Sequence, residues 1–175
     1  MRTMARYGIT LGFICILAAG LLAGVNALTR PMIFAQAKQQ EEKALSEVFH
    51  DAGRFEEIKS AAGEIIYYKV YDNNGVVVGV AFKATGKGYS GPVETMVGMD
   101  MDGKIGIIKV LSQNETPGLG SRVSEGSFTS QFSGKNIAGL DEVQAITGAT
   151  ISSKAVTDPV KNKAQEILSL IKNER

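Results

Sequence analysis

The stretch Glu64-Ile65-Ile66-Tyr67-Tyr68-Lys69-Val70-Tyr71-Asp72-Asn73-Asn74-Gly75-Val76-Val77-Val78-Gly79-Val80-Ala81-Phe82-Lys83 decides the fold class. Its two halves, Glu64–Tyr71 and Val76–Lys83, are rich in β-branched and aromatic residues, and Asp72-Asn73-Asn74-Gly75 separates them. Two such runs around an Asx-Gly turn predict a β-hairpin. The form repeats at once, with Pro92–Met99 and Lys104–Leu111 flanking Asp100-Met101-Asp102-Gly103. Consecutive hairpins predict a twisted antiparallel sheet. Helix-forming runs lie on both sides of it, so the fold class is α+β. Tyr67, Tyr68 and Tyr71 fit sheet packing.

N-terminal to the sheet, Tyr7–Thr29 contains no charged residue and is rich in Leu, Ile, Ala and Gly. As a helix it is long enough to cross a bilayer. Arg2 and Arg6 precede it, which predicts a cytoplasmic N-terminus and an extracytoplasmic remainder. Val25-Asn26-Ala27 would suit a cleaved signal peptide, but the apolar run is long for one, so an uncleaved anchor is expected. Cys15 lies within the run, outside any lipobox, as a small apolar side chain. Gly8, Gly12, Gly20 and Gly24 supply the small-residue spacing with which membrane helices pack. From Pro31 to about Phe49, Ile33, Ala37, Ala44, Leu45 and Val48 are interleaved with polar residues. That spacing predicts a connecting helix that packs on the domain and does not form a coiled coil, with Pro31 in its first turn. The expected organisation is therefore 1–6 cytoplasmic, 7–29 transmembrane, 30–50 connecting helix and 51–175 a soluble domain.

C-terminal to the first hairpin, Gly86-Lys87-Gly88-Tyr89-Ser90-Gly91-Pro92 predicts a tight loop. Its Gly-Tyr-Ser-Gly lacks the spacing of a nucleophile elbow. The single His of the chain, His50, stands at the end of a predicted helix, where it suits the dipole. A hydrolase reading fails on both counts. Asn114-Glu115-Thr116-Pro117-Gly118-Leu119-Gly120 contains a Pro-Gly turn. Gly118-Leu119-Gly120 is not a dinucleotide fingerprint, because the third Gly and the βαβ unit are missing. Ser127–Phe132 predicts a short helix with Phe128 and Phe132 on one face, and Gly134–Leu140 a loop. The last run, through Val156, Val160, Ala164, Ile167, Leu168 and Ile171, predicts an amphipathic helix capped by Ser152. Pro159 predicts a kink or restart within it, and Lys172 and Arg175 suit its C-terminal end.

Before that helix lies Ala145-Ile146-Thr147-Gly148-Ala149-Thr150-Ile151-Ser152-Ser153. A small-residue loop at a helix start offers free N–H groups and the positive dipole end to an anion such as phosphate. Gly148 and Ala149 leave room for a bulky group. Read from spacing alone, a plain cap after a tight turn is the simpler account. The whole chain has 175 residues, 20 of them Gly, a formal net charge of +1 and one Cys. That is enough for one domain with its own core. It carries no basic stripe for nucleic acid, and no internal disulfide or Cys/His metal spacing.

Thr147-Gly148-Ala149-Thr150 followed by Ile151-Ser152-Ser153 resembles the flavinylation signature of FMN-binding domains. Glu115-Thr116-Pro117-Gly118-Leu119-Gly120 resembles a second hallmark of the same family. It comprises the G subunit of the Rnf-type ion-translocating electron transport complex and the C subunit of the sodium-pumping NADH:quinone reductase. The resemblance spans the chain, and the Pro-Gly-Leu-Gly form points to the Rnf branch. Gln144 stands where the family pattern often has an acidic residue.

The resemblance implies FMN attached covalently, by a phosphoester, to Thr150, with Thr147, Gly148 and Ala149 at the phosphate. It also implies that Glu115, Thr116, Leu119, Gly120, Gly88 and Tyr89 lie near the flavin. The function implied is electron carriage within a membrane-bound ferredoxin:NAD oxidoreductase complex, with no substrate transformed by the polypeptide alone. The implied partners are the other membrane and peripheral subunits, membrane lipid and a separate flavin transferase. A Thr hydroxyl needs an activating base, and none is evident beside Thr150. Two other classes stay open from the residues: an anchored phosphate-binding or sensory module without redox activity, and a stand-alone flavin reductase. The absence of a second nucleotide motif counts against the latter.

Overall fold

The computed structural model describes residues 2–50 and 52–173; Arg175 lies outside them. The chain divides into two compact units, one up to Gln40 and one from Glu41 onward. The described residues of the first unit are all helical, as part of α1 (Arg2–Val48). Its Ile, Leu and Phe side chains are exposed from Ile9 to Phe34, and α1 is long and apolar enough to cross a membrane. The expected break between a transmembrane and a connecting helix is absent, since Pro31 lies inside one 47-residue helix. A proline removes one ladder hydrogen bond and crowds the carbonyl four residues back, at a local cost of about 3 kcal/mol. The ladder on either side remains.

In the second unit, β1 (Arg54–Lys59), β2 (Ile65–Tyr71), β3 (Val77–Lys87), β4 (Pro92–Asp100) and β5 (Ile105–Ser112) form one antiparallel sheet in sequence order. Both predicted hairpins are present and share one turn design. Asp72 Oδ1 accepts the N–H groups of Asn74 and Val76, each at 2.8 Å. Asp100 Oδ1 does the same for Asp102 and Lys104, at 2.9 and 2.8 Å. Gly75 and Gly103 take the positive φ that each turn needs. Strand β3 extends to Lys87, which shortens the glycine-rich loop to Gly88–Gly91.

Alternation of side chains gives the sheet two buried faces. On one, Tyr67, Val80, Phe82, Val93, Val97 and Ile108 pack with α3 (Thr150–Asn173) through Val156, Val160, Ala164 and Ile167. Phe128 of α2 (Gly126–Thr129) and Phe132 of the following 3-10 turn join this core edge to face, 5.5 Å apart. On the other face, Tyr68, Val70, Ala81 and Met96 are covered by Ala44, Leu45 and Val48 from the end of α1. Ile33 and Ala37, placed on the same stripe by sequence, are exposed. A further 3-10 turn, Ala138–Glu142, occupies the end of the expected loop and continues beyond it.

Helix α3 starts at Thr150, so Ser152 is its third residue and not the cap expected from sequence. Pro159 lies inside it, as expected, and of the kink or restart expected there the restart is absent, since α3 is one element. Proline leaves the Ala155 carbonyl without its ladder donor, and β3 lies against that carbonyl at Gly86. A β-carbon on Gly86 would stand 2.0 Å from the Ala155 oxygen and 2.6 Å from Pro159 Cγ. The glycine allows strand and helix to approach where the ladder is open.

Candidate functional site

Two turns of one design bring the two motifs together. In Thr116–Leu119, Pro117 sets the first corner and Gly118 the second with φ +74°; the Leu119 N–H donates to the Thr116 carbonyl at 3.1 Å. This is the Pro-Gly turn expected from sequence. In Ile146–Ala149, Gly148 takes φ +80° and the Ala149 N–H donates to Ile146 at 2.9 Å. A β-carbon on Gly148 would lie 3.7 Å from Leu119 Cδ2, so the turns stand side by side. Ser153 pins the second turn to the helix: its Oγ accepts the Ile146 N–H at 3.0 Å and donates to the Ala149 carbonyl at 2.9 Å.

Helix α3 then begins with the exposed Thr150. The Ser153 N–H donates to the Ala149 carbonyl at 2.9 Å, while the N–H groups of Thr150, Ile151 and Ser152 have no intrahelical acceptors and carry the positive end of the dipole of a 24-residue helix. Ser152, one turn before Val156 on the buried stripe, points inward and is 3% exposed.

Its partner is Glu115, 5% exposed. The Ser152 hydroxyl donates to Glu115 Oε2. The Tyr89 N–H donates to Oε2 at 3.1 Å and the Ser90 N–H to Oε1 at 2.8 Å. Burial pushes the Glu115 carboxyl upward in pKa, but hydrogen bonds from Ser152 and from the Ser90, Tyr89 and Gly91 backbone outweigh it and hold it below its ordinary 4.5. Glu115 is thus a buried carboxylate stabilised by donors. Gly88 and Gly120 make room for it. A β-carbon on Gly88 would fall 2.5 Å from Glu115 Oε1, and one on Gly120 would fall 2.5 Å from Ser152 Oγ and 2.8 Å from Glu115 Cβ.

These segments border a cleft of about 530 Å³, within the size range of small-molecule sites. Of the residues singled out from sequence, Thr150, Gly148, Ala149, Glu115, Thr116, Leu119, Gly120 and Tyr89 line it. Thr147 and Gly88 do not. Thr147 is exposed at the corner before Gly148, and Gly88 is buried behind the cleft against Glu115. The cleft adds Ile151, which sequence reading had not placed there, and Ser152, which it had placed there only as the helix cap. The signal for Ser152 was its spacing of four residues from Val156 on the helix's apolar stripe. Tyr89, Leu119 and Ile151 are 75%, 49% and 55% exposed, giving the cleft an apolar rim. The Gln144 backbone pairs with the Gln131 side chain, its N–H donating at 2.9 Å. Among the described residues, no cluster of His, Cys, Asp or Glu could hold a metal ion.

An FMN-binding domain model matches residues 88–165, which include the cleft and both motifs. An RnfG N-terminal region model matches residues 1–48, which include α1. The G subunit of the Na(+)-translocating ferredoxin:NAD(+) oxidoreductase complex of Acetobacterium woodii is 36% identical over 198 aligned positions, covering 98% of this chain and 95% of that protein. The G subunit of the proton-translocating ferredoxin:NAD(+) oxidoreductase complex of Clostridium ljungdahlii is 32% identical, covering 87% and 85%. The crystal structure of Shewanella oneidensis NqrC has the same fold, with a TM-score of 0.54 at 21% identity over 72% of this chain and 74% of that one. The C subunit of the Na(+)-translocating NADH-quinone reductase from Parabacteroides distasonis gives a TM-score of 0.50 at 25% identity over 60% and 62%. Fold and cleft thus define an FMN-binding domain behind a long apolar helix. Within that class, the chain belongs to the RnfG family, the G subunits of Rnf-type ion-translocating oxidoreductase complexes.

Proposed function

We propose that this chain is the electron-carrying flavoprotein subunit of a membrane-bound, ion-translocating ferredoxin:NAD oxidoreductase complex, with FMN joined by a phosphoester to Thr150. The observation that carries the reading is the position of Thr150: an exposed hydroxyl at the first position of a long helix, on the wall of a cleft built from both motifs. The cleft suits the group. The turn at Gly148 has no side chain, the first-turn N–H groups face an anion favourably, and Tyr89, Leu119 and Ile151 offer apolar surface to a flat ring.

Attachment joins Thr150 Oγ1 to phosphorus. Condensing an alcohol with a free phosphate is unfavourable in water, so the donor is an FMN bearing a leaving group on its phosphorus, as in a flavin dinucleotide. The Oγ1–P bond forms, the bond from phosphorus to the departing nucleotide phosphate breaks, and the threonine proton leaves with a base. Glu115, already engaged by donors, is not that base. A separate flavin transferase supplies it. Bound FMN supplies the electron transfer; Thr150 tethers it, the α3 N-terminus offsets its phosphate charge, and the cleft orients it.

The remaining parts of the proposal follow from α1. It anchors the chain in the lipid of the cytoplasmic membrane by a single pass over 7–29. The arginines at positions 2 and 6 keep the N-terminus inside, and the domain from 51 onward faces the extracytoplasmic side. The other membrane and peripheral subunits of the complex provide its electron partners. The test is tandem mass spectrometry of the tryptic peptide ending at Lys154, from full-length chain co-expressed with a flavin transferase. A mass increase of FMN less one water, located on Thr150, is expected. The same increase located on Thr147 would move the attachment, and an unmodified peptide alongside a modified control protein would end the covalent reading.

A further inference from the structure

Glu115 joins three segments that are distant in sequence: the Gly88–Gly91 loop, the string beginning at its own position, and the first turn of α3 through Ser152. We infer that Glu115 is a positioning residue whose buried carboxylate holds the Tyr89-bearing loop in place relative to Thr150, so that the cleft is formed before a ligand enters. This rests on the flavin reading of the cleft and assigns Glu115 a role distinct from touching the flavin.

Three observations carry it. First, the carboxylate is occupied: Oε1 accepts from Ser90, Oε2 accepts from both Tyr89 and Ser152, and the Gly91 N–H also stabilises the charge. A carboxylate offers about four acceptor sites, so this one has little left for a ligand. Second, the loop depends on it. The Gly88 N–H closes the loop onto the Gly91 carbonyl at 2.8 Å, while the two amides between them, of Tyr89 and Ser90, donate to Glu115. Charge-assisted bonds of this kind are stronger than neutral ones, and adjacent part-buried amides left without an acceptor would move the loop to find one. Third, both walls are cut to admit the carboxylate, since Gly88 and Gly120 are the positions where a β-carbon would strike Glu115 or Ser152.

The experiment uses the full-length chain in detergent, with Glu115→Gln and Gly88→Ala. The first replaces one carboxylate oxygen by an amide nitrogen that cannot accept. The second leaves the charge and presses a methyl group on it. In the unloaded protein, both variants are expected to speed hydrogen exchange at the Tyr89 and Ser90 amides by about tenfold or more, with the amides of Val80 and Val97 unchanged. In chain co-expressed with a flavin transferase, flavin fluorescence anisotropy, read per bound flavin whatever fraction loads, is expected to fall in both. Protected loop amides with unchanged anisotropy would overturn the inference. So would equal acceleration at Val80 and Val97, which would mark a general loss of stability. A parent chain that takes up no flavin would sink the flavin reading, and the loop amides would still decide the role of Glu115.

Discussion

Replacing Thr150 by alanine removes an exposed hydroxyl from the first position of α3, where alanine is a good helix former. Stability is expected to change by less than about 0.5 kcal/mol, read as the midpoint of a denaturant melt, while covalent flavin disappears. Gly148→Val differs, because its backbone sits at φ +80°. A β-branched residue there costs about 1–2 kcal/mol, and the same melt should show it along with reduced flavin loading; unchanged values in both would mean that the turn tolerates a side chain. Glu115 gives a pH signature. Its folded carboxyl titrates below the ordinary 4.5, so its ionised form favours the folded state above that pH. The contribution is lost as pH falls through the lower, folded value. The stability gap between parent and Glu115→Gln should therefore narrow on going from pH 7 into the acid range below 4.5, and a gap that stays constant would contradict the assignment. At this scale the sequence was informative about which residues meet and less so about how. The motif strings brought Glu115, Leu119, Gly148 and Thr150 to one cleft, but Ser152 read as a cap because Ser commonly is one. Only a partner more than thirty positions away makes it an inward-facing donor.

Gly86→Ala tests the fit of β3 on α3. Its β-carbon would stand 2.0 Å from the Ala155 carbonyl oxygen, and overpacking of this kind costs about 1–3 kcal/mol. Gly126→Ala, with nothing within 4 Å of its new carbon, is the matched control and should be neutral. Equal melts for the two would mean that strand and helix separate freely at Pro159. The elements legible from sequence were those with a strong local signal. The two Asp-to-Gly turns fixed both hairpins, and the stripe from Val156 to Ile171 fixed α3. Strand β1 escaped notice because Arg-Phe-Glu-Glu-Ile-Lys at an edge exposes charge and buries little, as edge strands do to avoid pairing with other chains. The prolines were only partly legible. Pro31 read as the first turn of a separate helix and Pro159 as a kink or restart inside the last one, yet neither starts a new element and each lies within a continuous helix. A local rule cannot see a long flanking ladder or a glycine placed opposite the open carbonyl.

Across the whole molecule, the division after Gln40 predicts that a chain starting at Glu41 folds as a soluble domain. A chain starting at Gly53 would lose Leu45 and Val48 from the second face of the sheet, a loss on the order of 3–5 kcal/mol for two buried aliphatic side chains. It is expected to melt lower and to aggregate, whereas equal melting of the two truncations would show that the end of α1 is dispensable. Topology has its own test. An alkaline phosphatase fused after residue 175 should be active and a fluorescent protein at the same place dark; the reverse would invert the orientation assigned from Arg2 and Arg6. The antiparallel sheet and the apolar helix were readable from pattern alone. So was the packing of the connecting run on the domain; the unity of α1 and the part of the run that packs were not, because Ala44, Leu45 and Val48 share a stripe with the exposed Ile33 and Ala37.

The central claim is a flavin on Thr150, and in-gel ultraviolet fluorescence tests it most directly. Full-length parent and Thr150→Ala, each co-expressed with a flavin transferase, are denatured and separated. A fluorescent band in the parent and a dark one in the variant is the predicted result. A dark parent band beside a fluorescent control protein would contradict the account and leave an anchored phosphate-binding module as the reading of this cleft.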